Sequence, residues 1–253
     1  MRSRYLSFVT AYFLISCTLF SIVSPVIAST FQVSPIRVYF GANESTTLLK
    51  VRNDAKKPLR LQIGVFAWEE SRKGEMILQP TQDIIFYPTL LSLKPGDQRN
   101  VRVGTNQHKG SKEKTYRIFF EEIPSEEKLT TNGVQLRTKV GIPIFIQPEK
   151  SAVKGEINQL SMKALEFSFE LKNEGNVHFQ PRGIRVKASG SNGEVVLERQ
   201  LPGWYILAGQ VREYRIQVPK SDCSKMKDLT VEVAMEDKVL KERLPISSGA
   251  CER

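Results

Sequence analysis

The sequence predicts an all-β protein made of two β-sandwiches. Three observations carry this. Apolar residues recur at every second position in segment after segment, the period of a strand whose side chains alternate between faces. Gly, Pro, Asn and Asp clusters punctuate those segments at regular spacing. No amphipathic helix of useful length interrupts them. Of 253 residues, about 225 remain once an apparent leader is set aside, enough for two units of about a hundred residues each.

Taken in order, 33–40 reads as one strand broken by Pro35, and G-A-N-E at 41–44 as a turn. Residues 45–53 alternate Thr47, Leu49 and Val51 with Thr46, Leu48 and Lys50. The loop N-D-A-K-K-P leads to 59–69, where Leu61, Ile63, Val65 and Ala67 share a face. Gly74 marks a hairpin, and 84–87 is a short apolar strand. L-K-P-G-D at 93–97 is a turn, because Pro presets one backbone angle and Gly accepts a positive one. Val101 and Val103 belong to the next strand, 104–114 is a polar, basic loop, and 115–123 and 134–146 complete the set. Seven strands at this spacing read as an immunoglobulin-like sandwich. Q-P-E-K at 147–150 is a polar junction suited to a boundary. Strands resume at 153–160, 164–173, 183–188, 194–199, 211–218, 229–235 and 239–245, with turns N-E-G-N, S-G-S-N-G and P-K-S-D between them. The expected units are 1–28, 29–148 and 151–253.

The most informative stretch is 134–148, V-Q-L-R-T-K-V-G-I-P-I-F-I-Q-P. Val134, Leu136, Thr138, Val140 and Ile142 fall on one face, and the run is longer than the five or six residues of an ordinary strand. Pro143 has no N–H to donate, which suits an edge or a bulge. A long apolar strand near an edge invites pairing with another chain, so this strand is expected to be lent to a partner.

The N-terminus opens M-R-S-R, runs apolar to Ile27 and reaches V-I-A at 26–28. That is the pattern of a secretory signal peptide, with cleavage expected after Ala28. The competing reading, a membrane anchor, is weakened by Ser7, Thr10, Ser16, Thr18, Ser21, Ser24 and Pro25. No other stretch is apolar enough to cross a bilayer. Cys17 leaves with the leader, and Cys223 and Cys251 remain, an even pair that suggests one disulfide in an exported protein. The net charge of +10 falls to +8 without Arg2 and Arg4, and the excess sits mostly before residue 150. Such an excess could serve nucleic acid, an anionic surface or a carboxylate-bearing partner; export disfavours nucleic acid.

Catalytic constellations are missing from the pattern. His108 and His178 are the only histidines, and there is no G-x-S-x-G elbow or catalytic cysteine for a triad. Glu69 with Glu70, and Glu121 with Glu122, are adjacent, so a strand sends each pair to opposite faces. No nucleotide loop, cofactor motif or Cys/His metal cluster is present. Trp68 and Trp204 are isolated in sequence and expected to be packed. Three cations are more informative. Arg37 lies between Ile36 and Val38, Arg117 within T-Y-R-I-F-F, and Lys139 in the long strand. A charge in an apolar strand is costly if buried without a partner; each could instead sit on a solvated strand face, but together they suggest an anion site, with Arg offering a planar fork and Lys a point charge.

These stretches carry a resemblance. S-P-I-R-V-Y-F at 34–40, I-I-F-Y-P at 84–88, L-K-P-G-D-Q-R-N-V-R-V at 93–103, Y-R-I-F-F-E-E-I-P at 116–124 and the long strand ending Q-P, in that order and spacing, resemble the PapD-like periplasmic pilus-assembly chaperones of the chaperone–usher pathway. N-E-G-N-V-H-F and G-W-Y-I-L-A-G resemble the family more loosely. The resemblance implies two immunoglobulin-like domains in an L, in the periplasm, and no enzyme activity. It implies binding of pilin subunits by donor-strand complementation and delivery to an outer-membrane usher. It also implies two basic residues holding the subunit's terminal carboxylate. Arg37 matches the first; Gly141 stands where the second, a Lys, is usual, with Lys139 one pleat away on the same face. Arg117 replaces the usual aromatic or apolar residue, and with V-G-I-P-I-F-I resembles the archaic branch. The anchor is therefore expected to have moved toward Arg117 and Lys139. The free protein is expected to be monomeric or weakly self-associated. The rival reading is a secreted structural or adhesive β-sandwich protein of the pilus, which two complete sandwiches disfavour; a carbohydrate-acting protein would want clustered aromatics or paired acids.

Overall fold

The computed structural model describes residues 31–41, 44–124 and 137–251. The expected leader, 1–28, lies outside them, as do Val134 and Leu136. The first half carries β1 (Phe31–Ser34), β2 (Val38–Phe40), β3 (Thr46–Asn53), β4 (Leu59–Glu70), β5 (Met76–Pro80), β6 (Ile84–Tyr87), β7 (Leu90–Leu93), β8 (Gln98–Thr105), β9 (Lys114–Glu122) and β10 (Lys139–Ile146). One sheet runs β1-β3-β8-β6; the other runs β2-β10-β9-β4-β5, with β7 beside the start of β4. The segment expected as one strand at 33–40 is two, because the chain crosses from one sheet to the other between Ser34 and Val38. β5 and β7 were not expected. Both are short: β5 is largely exposed, and β7 alternates over only four residues, burying Leu91 and Leu93.

Alternation explains the packing. Leu59, Leu61, Ile63 and Val65 of β4, Tyr116, Ile118 and Phe120 of β9, and Ile142, Ile144 and Ile146 of β10 enter one core with Leu49, Val51, Val101 and Val103 from the facing sheet. Ile142 of the strand expected to be lent is thus buried in the protein's own core, at 3% exposure. Val140 packs only partly against that core.

The second half forms β11 (Gly155–Lys163), β12 (Glu166–Asn173), β13 (Gly183–Ser189), β14 (Val195–Leu201), β15 (Val211–Gln217), β16 (Asp228–Ala234) and β17 (Val239–Pro245). Sheets β11-β12-β15 and β14-β13-β16-β17 enclose a second core around Phe167, Phe169, Leu171, Val186, Leu229 and Val231. Cys223, at the end of a single helical turn, is bonded to Cys251, with Cα atoms 5.9 Å apart. No helix among the described residues is long and apolar enough to cross a membrane.

Candidate partner-binding site between the two sandwiches

The site is built on the outer face of the sheet β2-β10-β9-β4-β5. Core positions alternate with outward ones, so β10 sends Lys139, Gly141, Pro143 and Phe145 outward, and β9 sends Thr115, Arg117, Phe119 and Glu121. At one end this face meets the second sandwich. Trp68 and Phe145 of the first half pack with Tyr205 and Leu207 of the second in a separate apolar cluster. His178 lies flat on Phe145, ring centroids 3.8 Å apart. Its Nδ1 is 2.7 Å from Oε1 of Glu113, whose carboxylate is buried and also accepts the His178 backbone N–H at 3.0 Å.

A second polar contact lies where the β4–β5 hairpin reaches across. Gly74, in the left-handed region at φ +82°, lets the turn approach Arg212 so closely that a Cβ there would sit 2.6 Å from its Nε. Arg212 donates to the Gly74 carbonyl at 3.2 Å and pairs with the buried Glu70 at 3.2 Å. Burial pushes the Glu70 carboxyl up to about 7; Arg212, a hydrogen bond from Trp204 and the charge of Arg117 act the other way.

The three expected cations are not equivalent. Pro143 pairs with Arg117, and Val38, the first residue of β2, pairs with Ile144, so Arg37 lies just before β2, next to the row that holds Pro143 and Arg117. On an ideal sheet that position is two strand spacings, about 10 Å, from Arg117. Lys139 pairs with Glu121, four residues up β10 from Pro143, a distance of about 13 Å. The fold therefore groups Arg117 with Arg37 rather than with Lys139. The Lys139 ammonium is engaged by Glu121 at 2.8 Å and lies 4.9 Å from the Phe119 ring centre; Lys139 in turn holds the Glu121 carboxyl below its ordinary range. Arg37 is exposed, donates to Gln180 Oε1 at 3.0 Å and lies 5.6 Å from the Tyr205 ring centre. It borders a cleft of about 730 Å³ also lined by Tyr39, His178 and Arg182.

Arg117 is different. It is 7% exposed, its Nε is buried without an acceptor, and no hydrogen bond or ion pair to its guanidinium occurs among the described residues. Its contacts are aromatic: the guanidinium carbon is 4.3 Å from the Trp68 ring centre and 5.5 Å from that of Trp204. Burial lowers its pKa, while Tyr205 and Glu70 act in the opposite direction. The two tryptophans expected to be isolated thus meet on one cation, and Trp204 is not fully packed, at 40% exposure. One sequence signal pointed here. Trp68 has the opposite parity to Leu61, Ile63 and Val65, and an aromatic residue on the outer face of a sandwich strand needs a cover.

The backbone of β10 is only half paired. It pairs with β9 over eight residues but with β2 over three, Ile144 to Ile146. Glu122 N–H also donates to Thr138 O at 3.0 Å, extending the β9 side. From Lys139 to Pro143 the other edge meets no strand among the described residues.

Residues 30–152 match the family model for the pili and flagellar-assembly chaperone, PapD N-terminal domain. By these residues the first sandwich belongs to the PapD-like pilus-assembly chaperones. A search of curated protein sequences finds no match. Among solved structures, the class 5 fimbriae chaperone CfaA is 15% identical, with 85% of this chain and 100% of that one covered and a TM-score of 0.56. The E. coli chaperone DraB is 18% identical over 85% and 98%, at 0.54. The CsuC–CsuE chaperone–tip adhesion subunit complex of archaic Csu pili from Acinetobacter baumannii gives 19% over 74% and 91%, at 0.52. At these identities the likeness is one of fold: the two-sandwich, nearly all-β architecture of PapD-like chaperones.

Proposed function

We propose that this protein is a periplasmic, non-enzymatic chaperone that binds, folds and caps pilin subunits by donor-strand complementation and hands them to an outer-membrane usher. The half-paired β10 carries this reading. From Lys139 to Pro143 its free edge offers backbone donors and acceptors to an incoming strand, and edge pairing supplies main-chain hydrogen bonds while alternate side chains fill pockets. The apolar parity running back from Ile142 through Val140 and Thr138 to Leu136 and Val134 continues the protein's own core. Ile142 roots the strand, and the residues before it are the ones lent. A 1–28 leader, an N-terminal unit over 29–148 and a C-terminal unit over 151–253 complete the reading, and V-G-I-P-I-F-I with Arg117 resembles the archaic branch.

The subunit's terminal carboxylate is assigned to Arg117, with Arg37 just before β2 on its side and Lys139 farther out. A buried guanidinium with no acceptor is an unsatisfied group, and a carboxylate matches its planar fork. Co-expression with a pilin subunit from the same gene cluster tests the function. A soluble one-to-one complex is expected. A subunit that stays soluble and assembles equally well without this protein would overturn the reading.

A further inference from the structure

We propose that Trp204 is the positioning residue for Arg117, holding its guanidinium beside Trp68 so that the N–H edge is presented to an incoming carboxylate. The inference rests on the reading of Arg117 as the anchor. Arg117 comes from β9 of the first sandwich, and Trp204 from the β14–β15 connection of the second. A guanidinium under aromatic rings keeps its in-plane N–H groups for hydrogen bonds, because stacking uses the face and ligation uses the edge. Without such rings a long side chain must be ordered when the ligand arrives, which lowers affinity.

Trp204 is itself held in place. Its ring meets Tyr205 edge-on, centroids 5.6 Å apart and planes at 89°, and its side chain lies beside the Glu70 carboxyl, whose pKa it lowers. Glu70 is in turn paired with Arg212. Yet the ring is 40% exposed, more than Trp68 at 1%. A partly open indole braced by Tyr205 and lying over a cation with no acceptor among the described residues suits a support that a bound partner then covers. It also makes the anchor depend on both sandwiches, since neither supplies the cation and both rings.

The test compares Arg117→Ala, Trp204→Leu and Trp204→Phe for retention of a co-expressed pilin subunit, with the free variants' melting temperatures measured alongside. Leucine keeps apolar bulk without a π face; phenylalanine restores the face. Arg117→Ala should lose the subunit. Trp204→Leu should retain it about threefold to thirtyfold less well, the span of a cation–π contact, and Trp204→Phe should recover most of that loss. In the free protein, the Arg117 Nε–Hε NMR signal should move in Trp204→Leu and return toward its wild-type position in Trp204→Phe. If Arg117→Ala loses the subunit while Trp204→Leu retains it at the wild-type level, the positioning role is wrong and the anchor stands. If Arg117→Ala retains the subunit fully, the anchor itself is wrong. Equal losses in Trp204→Leu and Trp204→Phe would also overturn the role of the ring.

Discussion

Glu70 of the first sandwich and Arg212 of the second form a buried ion pair, 3.2 Å across, with both side chains at most 10% exposed. The pair ties the tip of the β4–β5 hairpin to β15, beside the Arg72 carbonyl that accepts the Glu213 backbone N–H at 2.7 Å. Burial dominates over the nearby cation, so the carboxyl titrates near 7 in the folded protein, above its value of 4.5 when exposed.

This shift sets a pH dependence. A carboxyl whose folded pKa is raised takes up a proton on folding, so its stabilising contribution is fully present below about 4.5 and is lost as pH rises through about 7. Glu70→Gln keeps the neutral form at every pH. The variant and wild type should therefore melt at similar temperatures near pH 5, and the variant should melt higher near pH 8. A wild type that gains stability relative to the variant across that interval would contradict the burial argument.

The three cations should rank by their existing partners. Arg117 has no acceptor among the described residues, Arg37 donates to Gln180, and Lys139 is paired with Glu121. Losing a charge-assisted hydrogen bond costs about 1.5–3 kcal/mol, roughly tenfold to a hundredfold in affinity. Arg117→Ala should weaken subunit retention by that amount, Arg37→Ala by less, and Lys139→Ala least. Pull-down of a co-expressed subunit, with folding checked by circular dichroism, measures the order.

Substitutions along the lent strand should divide at Ile142. Ile142→Ala opens a cavity in the core of the first sandwich and should cost about 2–5 kcal/mol, visible as a lower melting temperature of the free protein. Leu136→Asp should leave that melt unchanged and abolish subunit capture. Val140, half-buried at the margin, should show part of each effect. Equal destabilisation by Leu136→Asp and Ile142→Ala would mean that the whole strand serves the protein's own core.

Reduction of Cys223–Cys251, or Cys223→Ser, should loosen the second sandwich alone. The bond closes a loop of sequence separation 28, for which about 2–4 kcal/mol is typical. Hydrogen exchange should show lost protection in β16 and β17 with β3, β4 and β9 unaffected.

Much of the fold is legible because alternation in a half-buried strand is a local property. The seven strands of the second half, the turn at Gly96 and the core faces of β3, β4, β8 and β9 follow from residues in immediate succession. β5 and β7 were not legible, because each is held by pairing with β4, β5 buries almost nothing, and the alternation of β7 spans only four residues. Arg37, Arg117 and Lys139 were legible as cations in apolar strands. Their grouping was not, since the distance between them depends on register: Arg117 opposite Pro143 and Lys139 opposite Glu121.

By itself the sequence determined the two-sandwich class, the apolar strand over 139–146, the cysteine pair and the family resemblance. Each rests on periodicity, composition or the order of short motifs, which are read along the chain. Only the tertiary structure decided that Ile142 belongs to the protein's own core, that β10 is half paired, and that Trp68 and Trp204, 136 positions apart in sequence, meet on Arg117. These depend on which surfaces of the two sandwiches come together. Burial, desolvation and the loss of acceptors at that contact are long-range consequences of packing, and no local pattern encodes them.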